Sequence, residues 1–65
     1  MEERDRLRVM IEHWIKHNEV HFDEYQRWAE KAGSLGMEEV KGKILQAVEQ
    51  IKKANDIFRS ALEGL

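Results

Sequence analysis

The sequence predicts an all-α fold, an antiparallel hairpin of two long amphipathic helices, and three observations carry that expectation. Proline is absent from all 65 residues, and the helix formers Glu, Lys, Ala, Leu, Ile and Arg dominate. Apolar residues recur at steps of three and four along both halves of the chain. Between the halves lies one cluster of helix breakers, Gly33-Ser34-Leu35-Gly36.

The first element, helix 1, is expected over about residues 3 to 32. Followed by sevens, its central line reads Leu7, Trp14, His21, Trp28, with Met10 on one flank and Ile11, Asn18, Tyr25 and Ala32 on the other. A further line, Ile15, Phe22 and Ala29, widens the apolar arc to about 160° at 100° per residue. The turn is expected at about residues 33 to 36, with Gly33 in the left-handed conformation that closes a helix and Leu35 folded back onto the last turn.

Helix 2 is expected over about residues 37 to 63, where Glu38 and Glu39 complement the positive end of its dipole. Its central line is Met37, Ile44, Ile51, Phe58 and Leu65, flanked by Val40, Ala47, Ala54 and Ala61 on one side and by Val48 and Leu62 on the other. Gly42 costs about 1 kcal/mol against alanine and reads as a tolerated surface residue; Gly64 ends the element. Acidic residues stand four before basic ones in Glu12 and Lys16, Asp23 and Arg27, Glu39 and Lys43, and Glu49 and Lys53, the favourable order for helix pairs. So short a link makes the helices antiparallel neighbours. Facing residues then have numbers summing to about 69, which sets Asn55 near Trp14 and within a helical turn of Asn18.

The whole chain, residues 1–65, reads as a single domain. A core of this size supplies only about 3 to 5 kcal/mol unless disulfides, metal or assembly reinforce it. Cysteine is absent, which excludes disulfides, thiolate metal sites and thiol catalysis. Charged residues make up 37% of the chain, yet the net charge is only -2 and both signs are interspersed. No basic stripe marks a nucleic-acid surface, and no apolar run approaches the about 18 residues of a membrane span. Without an apolar leader at the start, cytoplasm is the expected compartment.

One neighbouring helix cannot cover the arc of helix 1. Trp14, Ile15, Phe22, Tyr25 and Trp28 are therefore the expected interface residues, and such patches mark interaction surfaces. The economical partner is a second copy, giving a twofold four-helix bundle. The alternatives are a monomer with loosely folded ends, a higher oligomer, or a larger protein docking on the apolar face of helix 1.

Polar residues interrupt the stripes at Asn18, His21 and Asn55. Unpaired buried polar groups cost about 1 to 3 kcal/mol each, so these three are expected to satisfy one another as an internal layer that fixes register. His13, His17 and His21 also form a double H-x-x-x-H ladder, and two histidines four apart can share one ion. Imidazole suits nickel or zinc, with Glu24 as the nearest carboxylate for His17 and His21, and Asp56 for His13 and His17. All three histidines cannot converge, because His13 and His21 lie about 12 Å apart along the axis.

Catalysis has little support. No phosphate-binding glycine loop is present, the zincin H-E-x-x-H pattern is missing, and Ser34 and Ser60 are the only serines or threonines, neither near a histidine. The stretch His13-Trp-Ile-Lys-His-Asn-Glu-Val-His21, with Phe22, Tyr25, Trp28-Ala29, Gly36-Met-Glu-Glu-Val40 and Ala54-Asn55, resembles a group of short uncharacterised helical proteins of anaerobic bacteria and archaea. That resemblance implies an antiparallel hairpin and an association with nickel handling; no activity transfers with it.

Overall fold

The computed structural model describes residues 2–65; Met1, the first residue of the expected domain, lies outside them. Two helices make up the fold, α1 over Glu3–Ser34 and α2 over Glu38–Glu63, packed antiparallel. The hairpin is long and one helix thick, with Cα extents of 51 × 16 × 11 Å.

The turn differs from expectation in which glycine closes α1. Gly33 stays helical, α1 runs to Ser34, and Gly36 takes the left-handed conformation at φ 80°. The closing bonds run from Met37 N to Ala32 O and from Gly36 N to Gly33 O, the paired pattern of a Schellman motif. Gly36 wins because it alone lets six residues close both bonds while Ser34 Oγ donates to Lys31 O at 2.7 Å. Leu35 does not fold back but stands exposed, and α2 starts one residue later than expected, at Glu38.

Moving the pivot slides α2 past α1 by about one turn, roughly 6 Å. Asn55 therefore faces Asn18 directly, not Trp14. The seam of α1 is also rotated from the expected line. Ile11, Ile15, Ala29 and Ala32 are buried, with half-buried Asn18, Phe22 and Tyr25 between them at steps of four and three. On α2 the matching series is Ile44, Val48, Ile51, Asn55, Phe58 and Leu62.

Ile15, expected on an outer interface, is thus a seam residue at 8% exposure. Small and β-branched side chains let the two backbones approach closely enough for Asn55 to reach the carbonyl of Ile15, whereas a tryptophan line in the seam would hold them apart. Ion pairs form at three-residue rather than the expected four-residue spacing, Glu3 with Arg6, Glu49 with Lys52 and Asp56 with Arg59, all exposed. Arg59 also ties the helices together through Glu19 at 3.1 Å. Such surface pairs each contribute about 0 to 1 kcal/mol.

Candidate functional site

Rotating the seam leaves a second stripe of α1 without a partner in the chain. Leu7 is 46%, Met10 45%, Trp14 39% and Trp28 62% exposed, and His17 lies open on the same side. Trp14 leans across to Phe58, ring centroids 5.7 Å apart, so this stripe and the adjoining apolar line of α2 open on one side of the hairpin. On α2 that line is Val40, Ala47 and Ala61, all exposed, with Ala54 half-buried. Of the five expected interface residues, Trp14 and Trp28 are exposed here, Phe22 and Tyr25 are half-buried toward the seam, and Ile15 is lost to it.

The histidine ladder crosses this face obliquely because residues four apart on a helix advance by 40°. His13 sits at the outer edge, His17 and His21 cross the stripe, and Tyr25 enters the seam. Ring centroids are 6.2 Å apart for His13 and His17, 4.5 Å for His17 and His21, and 5.5 Å for the stacked pair His21 and Tyr25. His17 Nε2 and His21 Nε2 lie 3.1 Å apart, a hydrogen-bond distance in which one ring donates. His21 Nδ1 is covered and has no partner. In the tautomer with hydrogen on His21 Nε2 that covered nitrogen keeps only a lone pair, and His21 donates to His17.

The same 3.1 Å is close to the spacing of two nitrogens on one ion at about 2.0 to 2.1 Å bond lengths. Two imidazoles are what the chain gathers. No group of three or more His, Asp or Glu side chains converges among the described residues, so Glu24 does not join His17 and His21. Asp56 pairs with Arg59 instead of turning to His13 and His17. A metal on His21 Nε2 would also force the ring proton onto Nδ1, where no acceptor waits, whereas metal-bound histidines ordinarily have one.

The expected polar layer is present in two of its three members. Asn18 Nδ2 donates to Asn55 Oδ1 at 2.8 Å, and Asn55 Nδ2 donates to the backbone carbonyl of Ile15 at 3.1 Å. Asn55 is fully buried at 0% exposure. His21 pairs with His17 and not with the asparagines. The carbonyl of Ile15 was not foreseeable as a partner, because already being an acceptor within α1 gave it no sequence signal. A shallow open groove on the other side, floored by Val9, Ile15 and Leu62 and edged by Glu12, His13, Lys16, Glu19 and Arg59, borders the ladder at His13 and carries the Glu19 pair with Arg59.

Together these features define a two-helix module with a pinned register and an uncovered apolar stripe beside its seam, with Val9, Val20 and Ile57 exposed elsewhere on the helices. A family model described as a domain of unknown function, DUF8180, matches residues 7–65, and the chain belongs to that family. No curated protein and no solved structure matches it. Among the described residues no helix is long and apolar enough to cross a membrane.

Proposed function

We propose that the protein is a non-enzymatic helical assembly module whose hairpins pair as a homodimeric four-helix bundle. One observation carries the reading: Leu7, Met10, Trp14 and Trp28 are 39 to 62% exposed along one side of α1, while among the described residues the buried apolar core is Ile11, Ile15, Ala29, Ala32 and Val48. Five small and aliphatic side chains are a meagre core for a two-helix chain, and large contiguous apolar patches on small proteins serve as contact surfaces. The asparagine pair suits this role, since a buried amide layer holds two helices in one register and leaves the outer face correctly presented. Sedimentation equilibrium at micromolar concentration tests it. A mass of twice 7.7 kDa is expected, and a well-folded monomer would retire the reading.

A second reading rests on the His17 and His21 separation of 3.1 Å, which suits one nickel or zinc ion with the remaining positions filled by solvent or by another chain. With two protein ligands the affinity is modest. Calorimetric titration with nickel and zinc, on the native chain and on the double variant His17→Ala with His21→Ala, tests it. Binding in the micromolar range that the double variant abolishes is expected on this reading; nothing tighter than about millimolar, roughly 4 kcal/mol, would dismiss it.

A further inference from the structure

The open face has a grain. Its α1 line is bulky by sevens, Leu7, Trp14, His21, Trp28, and its α2 line is small by sevens, Val40, Ala47, Ala54, Ala61. The two lines are also matched in height. With Asn18 facing Asn55 across the seam, Trp14, His21 and Trp28 stand within about 3 Å of the levels of Ala61, Ala54 and Ala47 along the hairpin. Trp14, His21 and Trp28 therefore each have an alanine of the other helix beside them at nearly the same height.

A second copy can cover the face about either of two twofold axes. An axis across the helices sets α1 on α1 and α2 on α2. Tryptophan then meets tryptophan on one side and alanine meets alanine on the other, and no single spacing between the hairpins packs both. An axis along the helices sets α1 of each copy on α2 of the other at unchanged height. Trp14, His21 and Trp28 then each meet an alanine, the large-on-small alternation that lets layers interdigitate at native density.

The exposed area also fits a second copy. A compact monomer of 7.7 kDa exposes about 4,300 Å², whereas this chain exposes 5149 Å². The excess, about 800 Å², is the surface of a rod one helix thick, which a second copy laid along its open side reduces.

Resting on the assembly reading above, we infer that the partner is a second copy related by an axis parallel to the helices. Both turns lie at the same end, and Trp14, His21 and Trp28 seat over the partner's Ala61, Ala54 and Ala47. The heterologous pairing of α1 with the partner's α2 occurs twice, so both open stripes close at once.

The chain has no cysteine, so Ser34→Cys, exposed at the end of α1, takes a spin label at one place per copy. Pulsed dipolar electron resonance on the full-length dimer then reads the arrangement. Turns at one end give a label separation of roughly 20 to 30 Å, the diagonal of the bundle plus the label arms. Turns at opposite ends give about 40 Å or more, because half the hairpin separates each label from the axis. Ala54→Leu supplies the second readout: it fills space that the partner's His21 needs, and dimer dissociation should rise at least tenfold. The long separation in a proven dimer, or an Ala54→Leu dimer as tight as the native one, overturns the inference alone. A native chain that sediments as a monomer overturns it together with the reading beneath it.

Discussion

Asn55 concentrates most of the specificity of the hairpin in one side chain. Fully buried, it spends its oxygen on Asn18 and its nitrogen on the Ile15 carbonyl, and both bonds require α2 to stand at one height against α1. Removing it leaves Asn18 unpaired beside a cavity, so Asn55→Ala should cost about 2 kcal/mol of unfolding free energy. A double-mutant cycle with Asn18→Ala in urea denaturation should return a coupling of about 1 kcal/mol, and additive effects would mean the bond contributes nothing to stability. This pair was legible in the sequence as two amides interrupting apolar lines, although the expected register set them a turn apart. His21 was legible only in part. Its position beside the asparagines suggested a shared layer, but four-residue spacing along one helix brought His17 closer than any group on α2, and the imidazoles pair with each other.

At the level of the elements, both helices follow from periodicity and their ends from glycine. The bounds of α1 were missed by two residues because two glycines competed for one left-handed site, and composition does not say which. Closing two carbonyl bonds over the end of α1 decides it in favour of Gly36. Gly36→Ala should accordingly destabilise the hairpin by about 1 kcal/mol, since a side chain is strained at its φ of 80°. Gly42 offers the opposite case. A Cβ there meets nothing within 4 Å, so Gly42→Ala should stabilise by about 1 kcal/mol. Thermal unfolding of the two variants beside the native chain checks the pair of signs. The face of α1 that meets α2 was not legible, because bulky and small apolar lines have equal claims in a helical wheel. The line that carries Ile11, Ile15, Ala29 and Ala32 meets α2, and the tryptophans are left outside.

For the whole molecule, the consequence of that selection is a hairpin one helix thick whose largest side chains face away from its own core. The width of the apolar arc on α1 was readable from composition and spacing alone. Its division into a buried half of isoleucine and alanine and an open half of tryptophan, methionine and histidine required the coordinates. An open stripe in α1 and another in α2, on one side and in matched register, give a small chain the means to gain by association the burial it lacks alone. The most direct measurement is sedimentation equilibrium of the native chain beside Trp28→Glu, with helix content followed by circular dichroism over the same concentrations. Trp28 is 62% exposed, so a charge there leaves the seam untouched and strikes only the open face. The account predicts a native dimer and a variant shifted to monomer with reduced helicity. Two equally helical monomers would contradict it.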